Sequence, residues 1–178
     1  GVEIKVLYPI CCGMPQLEQG DLKRVAENAK KVATEILPWV DKGYDVIALV
    51  PSCSLMMKFE WPLILPNDPD IKKLSEATFD VSEYIMNMAR QKELQNEFKQ
   101  IEGGITLHLA CHARAQNMGS KAAELLRLIP NTEVLVVERC SGHGGSWGIM
   151  RDNFYTALGV GRPAAQKAAE SNNKIIVS

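Results

Sequence analysis

Five short apolar, β-branched runs, at 4–8, 45–50, 105–110, 133–138 and 174–177, punctuate the chain and read as buried strands. Between them the apolar positions switch to a helical period. From Asp21, a predicted N-cap, they fall at Leu22, Val25, Ala26, Ala29, Val32, Ala33, Ile36 and Leu37, one stripe of an amphipathic helix that should stop at Pro38 and Gly43. Asp80 followed by Glu83 predicts a capping box, and Val81, Tyr84, Ile85 and Met88 mark the buried face of the helix it opens. A charged, solvent-facing helical stretch is expected over 90–99. Further helices are expected at 120–129 and 152–171, the second broken near 159–163. Strands alternating with helices predict an α/β fold of parallel βαβ units.

The candidate chemistry lies at the strand ends. The chain has five cysteines, Cys11, Cys12, Cys53, Cys111 and Cys140, and each falls at or just after the C-terminal end of a predicted strand. In open parallel sheets that edge is where ligands bind. Free cysteine is also a common core residue, so the position and not the residue type carries the argument. An odd, sparse set is unlike a secreted disulfide framework. A formal net charge of -1 gives no basic excess for phosphate, so nucleic acid is not an expected partner. Apolar runs such as 46–51 fall well short of the roughly 20 residues that span a bilayer. No signal peptide opens the sequence, and a cytoplasmic location is expected.

The order strand, cysteine, glycine, helix, strand occurs twice. EIKVLYPICCG leads through a helix to DVIALVPSC, and EVLVVERCSG leads through helices to KIIVS. The reading is two pseudo-repeated halves, 1–101 and 102–178, divided near Gly103 and Gly104. The first lacks a strand like 105–111, and the next cysteine of the second would lie beyond Ser178, so the chain is expected to be truncated at both ends.

The motifs CCGMPQLEQGD, VPSC, HLACHARAQNMG and ERCSGHGGSWG resemble the paired cysteine-rich CCG domains found in heterodisulfide reductase. They are also similar to the iron-sulfur subunits of anaerobic glycerol-3-phosphate dehydrogenase and of glycolate and lactate oxidases. The resemblance covers nearly the whole chain, with 1–101 as the C-terminal part of a first CCG unit and 102–178 as the N-terminal part of a second. It implies that Cys11 and Cys12 are a CC pair, Cys53 the last cysteine of a CxxC, Cys111 a lead cysteine and Cys140 the first of a second pair. All five are then metal ligands, holding an iron-sulfur cluster of the 4Fe-4S type. Two departures stand out: Val50 occupies the first position of the CxxC, and Ser141 the second of the later pair. The resemblance further implies the non-flavin subunit or domain of an oxidoreductase, passing electrons between a flavoprotein dehydrogenase and an acceptor or disulfide. A ferredoxin-type iron-sulfur domain would be a further partner, and the assembly could be peripheral to a membrane complex.

The residue chemistry agrees with soft-metal binding, because thiolates select iron-sulfur clusters and must lose their protons to bind. Adjacent cysteines suit a multi-iron group better than a single zinc ion. Gly13, Gly142, Gly144 and Gly145 are expected to let the backbone wrap closely around the cofactor. The loop 142–148 also sits where a phosphate loop would, but its GxGxxxG spacing departs from the dinucleotide fingerprint. His112 and His143 are weak catalytic or ligand candidates beside Cys111 and Cys140, with hydrogen-bonded structural roles as the plainer reading. His108 is expected to be structural, and Met56 and Met57 to pack in the core. Arg114 and Gln116 either orient a substrate or begin a solvated helix. Two rival functions follow from the same residues: a catalytically silent interaction module whose site holds zinc or nothing, and a cysteine hydrolase with one activated thiol.

Overall fold

A computed structural model describes residues 2–94 and 98–178. The chain divides into two compact units, Gly1–Asp80 and Val81–Ser178, each built on a parallel sheet.

In the first unit, residues 2–9 run extended into α1 (Met14–Glu18) and α2 (Leu22–Val40), which lead to β1 (Val46–Ala48). Then α3 (Pro51–Leu55) continues through a π-helical turn, Met56–Glu60, into α4 (Trp61–Ile64), followed by α5 (Pro69–Glu76) and β2 (Thr78–Asp80). Asp21 caps α2 as its spacing predicts, its carboxylate accepting from the Arg24 amide at 3.1 Å. The stripe Val25, Ala29, Val32, Ala33 and Ile36 packs on Leu55, Met56, Met57, Trp61, Ile71 and Leu74. Burying side chains of this size contributes roughly 1.5–3 kcal/mol each. The helix does not stop at Pro38. It runs to Val40, because a proline in the last turn forfeits only one hydrogen bond, and Gly43, at φ 89°, then turns the chain.

The strand expected at 4–8 is absent. The parallel neighbour of β1 is β2, with Val46 opposite Thr78 and Ala48 opposite Asp80. Residues 2–9 therefore join no ladder, and Ile4, Val6 and Tyr8 are exposed.

The second unit begins with α6 (Val81–Arg90) and β3 (Ile105–His108). It continues with α7 (Cys111–Ala115), α8 (Lys121–Leu126), β4 (Val134–Val137), a 3-10 turn at Trp147–Ile149, α9 (Phe154–Glu170) and β5 (Ile175–Val177). The sheet order is β4-β3-β5, all parallel, so β3 is central and its Ile105, Thr106 and Leu107 are buried. Thr106 donates to Ser171 at 2.7 Å and accepts from Asn173 at 3.0 Å, which fixes the end of α9 against the sheet.

The division of the chain falls before α6, earlier than the glycines at 103 and 104, because α6 packs with α8 and Arg90 pairs with Glu124 at 2.7 Å. Its buried residue is Met86, while Val81, Tyr84, Ile85 and Met88 are half-buried. The helix ends at Arg90, and Lys92 takes a positive φ of 62°, so the charged helix expected over 90–99 does not continue. Residues 95–97 of that stretch lie outside the described residues.

The break expected in the last helix is also absent, and α9 runs unbroken past Gly159, Gly161 and Pro163. The glycines serve close packing instead. A Cβ on Gly161 would lie 2.3 Å from the Ser141 carbonyl oxygen, and one on Gly142 would lie 2.0 Å from that of Ala157. Gly142→Ala, with φ at 77° and backbone in its way, should lower stability by about 3 kcal/mol or more. Gly20→Ala, at the same φ of 77° with nothing within 4 Å, should cost about 1–2 kcal/mol. Urea unfolding of the two variants checks the difference, and equal losses would contradict the packing argument.

Candidate functional site

In the first unit the extended segment delivers the chain to a Cys11-Cys12-Gly13 turn. Gly13 adopts φ 92°, which L side chains avoid, and its amide donates to Cys11 Sγ at 3.4 Å before α1 begins. Two side chains clamp this turn to the helices. Asn28 of α2 donates through Nδ2 to the Cys11 carbonyl at 3.2 Å, and Trp61 of α4 donates through Nε1 to the Cys12 carbonyl at 3.0 Å. Cys53 sits in the first turn of α3, just beyond β1.

The thiols of Cys12 and Cys53 are hydrogen-bonded to each other, and Cys12 also bonds Cys11. The shared hydrogen bond, followed by burial, pushes the Cys12 thiol well above its ordinary range. The same bond, donated by Cys12, lowers Cys53 to about 7 against the opposing effects of burial and Cys11. The proton of the pair therefore stays on buried Cys12, and half-buried Cys53 becomes a thiolate near neutral pH. Cys11 and Cys12 therefore lie near Cys53, although the strand expected to deliver the pair does not form.

In the second unit Cys111 opens α7 directly after β3, and Cys140 follows β4. Gly142, at φ 77°, donates its amide to Cys140 Sγ at 3.3 Å, the same contact that Gly13 makes with Cys11. The thiols of Cys111 and Cys140 meet in a hydrogen bond. Partial desolvation first, and Cys140 second, raise the Cys111 thiol, with Arg114 pulling the other way. Gly144 and Gly145, at φ 50° and 57°, turn the loop beyond Cys140. The Gly144 carbonyl accepts from the Trp147 amide at 3.0 Å, and that of His143 from the Gly148 amide at 2.9 Å.

The His112 carbonyl accepts from Gln116 Nε2 at 3.4 Å, and Gln116 is buried, so it does not begin a solvated helix. His108 bridges the sheet, its Nε2 to the Arg139 carbonyl at 2.8 Å and its Nδ1 to Ser178 Oγ at 3.0 Å, a structural role. Met56 and Met57 are buried in the core.

The donor chemistry suits a sulfur-ligated metal group, but the number of donors does not complete one. The first cleft offers three thiols and the second two, whereas cubane clusters are held by four thiolates. Among the described residues, no group of three or more His, Cys, Asp or Glu side chains is arranged to hold a metal ion. Val50 caps α3 and faces solvent, and the Ser141 carbonyl abuts Gly161. The structure also adds Asn28 and Trp61 to the site. A polar residue inside the apolar stripe of α2 was the available signal for Asn28; nothing in the spacing pointed to Trp61.

Parallel sheets with Cys53, Cys111 and Cys140 just beyond the C-terminal ends of their strands define a cysteine-rich α/β protein. Residues 105–178 match the family model of the cysteine-rich domain CCG. The chain is 25% identical over 170 residues to a subunit of the anaerobic glycerol-3-phosphate dehydrogenase of Escherichia coli K12, a match taking in 94% of this chain and 42% of that protein. It is 26% identical over 153 residues to lactate utilization protein A of Lysinibacillus sphaericus, covering 82% of this chain and 64% of that one. The corresponding protein of Halalkalibacterium halodurans is 24% identical over 147 residues, which cover 78% of this chain and 57% of that one. The chain thus spans less than two thirds of each of these relatives. No solved structure matches it. Among the described residues, no helix is long and apolar enough to cross a membrane.

In the metal-free chain, iodoacetamide labelling of Cys53 should rise as pH increases through about 7, because the thiolate forms there. Cys12 should stay unlabelled over the same range. Cys12→Ala removes the donor and should move the Cys53 midpoint up toward the ordinary 9.0. Peptide mass spectrometry across pH reads both sites; a midpoint that does not move would show that Cys12 is not the cause.

Proposed function

We propose that this chain is an electron-transfer part of an oxidoreductase, whose cleft of Cys11, Cys12 and Cys53 holds an iron-sulfur cluster of the 4Fe-4S type with one ligand from outside the chain. The observation that carries the reading is the nearness of the Cys12 thiol to those of Cys53 and Cys11, with Cys53 lowered to about 7. The CCG match over 105–178 and the likeness to a component of a dehydrogenase complex support it.

When bound, the cluster supplies one-electron chemistry at a potential set by hydrogen bonds and solvent exposure. The chain's own residues do the positioning. The Gly13 amide donates to Cys11 Sγ, while Asn28 and Trp61 hold the carbonyls of the pair in place. Cys12 releases its proton on binding. The partner is a dehydrogenase that exchanges electrons with the bound cluster. Cys111 and Cys140 form a second, smaller thiol site, which needs more outside ligands before it can hold such a group.

Anaerobic reconstitution of the full chain with iron and sulfide tests the reading. Bound iron with matching sulfide and broad visible absorbance are expected. Cys53→Ala should abolish both while lowering stability by only about 1 kcal/mol, since a ligand is lost and little volume is removed. Colourless protein holding stoichiometric zinc, or unchanged iron in the Cys53→Ala protein, would overturn it.

A further inference from the structure

In the second unit two neighbouring strands each lead into a thiol. β3 and β4 run parallel with His108 opposite Val137, and the Leu109 amide, donating to the Val137 carbonyl at 3.0 Å, carries the ladder one step further. Continued at the same offset, that register sets Cys111 opposite Cys140. Neighbouring strands lie about 4.8 Å apart. A disulfide takes Cα atoms separated by about 4.4–6.8 Å, so residues that face each other across such a pair are within its reach without rebuilding of the backbone. The side chains agree with the register, since the two thiols meet in a hydrogen bond.

The two sulfurs are held by different parts of the unit. Cys111 is the first residue of α7, and Cys140 Sγ accepts from the Gly142 amide at 3.3 Å. Gly142 lies tight against α9, where a Cβ would come within 2.0 Å of the Ala157 carbonyl oxygen. Both thiols are exposed, unlike Cys12 of the first unit, which is buried in the core.

The number of donors decides what the pair can complete. Val81–Ser178 contains two cysteines, and the nearest strand histidine, His108, engages both ring nitrogens, with the Arg139 carbonyl and with Ser178. A cubane cluster is held by four thiolates, whereas a disulfide is complete with two sulfurs.

We infer that Cys111 and Cys140 are a dithiol–disulfide couple, closed by a low-molecular-weight disulfide and reopened by a low-molecular-weight thiol. Closing takes two exchanges. The thiolate of one cysteine attacks the S–S bond of the oxidant, forming a mixed disulfide and releasing one half of the oxidant as a thiolate. The other cysteine, as its thiolate, attacks the protein sulfur of that mixed disulfide, forming the Cys111–Cys140 bond and releasing the second half. Two protein thiols lose two electrons, the oxidant gains them to become two thiols, and the two protein protons end on those thiols. Exposure leaves the bond open to exchange in both directions, as it does for labile disulfides generally. Sulfurs joined to each other are no longer thiolate donors, so the closed pair takes up no soft metal. The inference rests on the second unit alone and does not depend on the cluster proposed for Cys11, Cys12 and Cys53.

The metal-free full chain, equilibrated anaerobically across mixtures of reduced and oxidised glutathione and quenched in acid, tests it. Tryptic peptides 100–114 and 140–151 should be recovered joined, in one reversible two-electron transition. Dithiothreitol should then return both cysteines to a form that iodoacetamide labels. In Cys140→Ser the second attacking sulfur is gone, so the glutathione adduct on Cys111 should rise roughly tenfold or more above its level in the unaltered chain. Cys111→Ser should raise the adduct on Cys140 in the same way. Peptides that carry separate glutathione adducts and never join would overturn the couple, as would joined peptides found only in covalent dimers of the chain. Equal adduct levels on Cys111 with and without Cys140 would overturn it too.

Discussion

The turn from cysteine to glycine at the end of an extended segment, pressed against the next long helix, is the constraint on which each unit depends. It needs a residue without Cβ, because φ is positive at both Gly13 and Gly142, and at Gly142 the helix backbone occupies the space a side chain would take. That approach leaves the glycine amide directed at sulfur two residues back. One local arrangement therefore ends the segment, seats the helix and gives the cysteine sulfur a hydrogen-bond donor.

The rest of the first unit supports that turn from behind. The apolar stripe of α2 packs on the helical run from α3 to α4, and the two polar groups that reach the turn, Asn28 and Trp61, come from these elements. Backbone carbonyls turned toward a core need donors, and an unmet one costs about 1–3 kcal/mol. The same residues that satisfy this need hold Cys11 and Cys12 in place. The π-helical turn before Trp61 shifts the helical phase at that point, a device common near functional sites.

Much of this was legible in the sequence, for reasons that differ by element. The runs at 105–110, 133–138 and 174–177 are β-branched and apolar, and all three appear as parallel strands, slightly shortened. The nearness of Cys111 and Cys140 followed from the geometry of parallel sheets, which brings the ends of β3 and β4 together across a long sequence separation. Three features were not legible. The strand β2 is only Thr-Phe-Asp between two helices, too short to show a period. The end of α2 was misplaced because proline ends a helix only where its missing amide matters. The segment 4–8 has a strand's pattern, yet pattern supplies only the propensity; a ladder needs a neighbour with unpaired groups, and the β2 edge of β1 is taken.

The three thiols are graded in burial. Cys11 is exposed while Cys12 is buried, and Cys53 lies between these extremes. Anything bound to all three sits across the boundary between core and solvent, protected on one side and accessible to a partner on the other. The buried member also holds the proton. Cys12 keeps its proton because ionisation inside the core is costly and because its hydrogen bond to Cys53 favours the neutral form. Under the proposed cluster reading a metal would have to displace that proton, so its affinity would rise with pH.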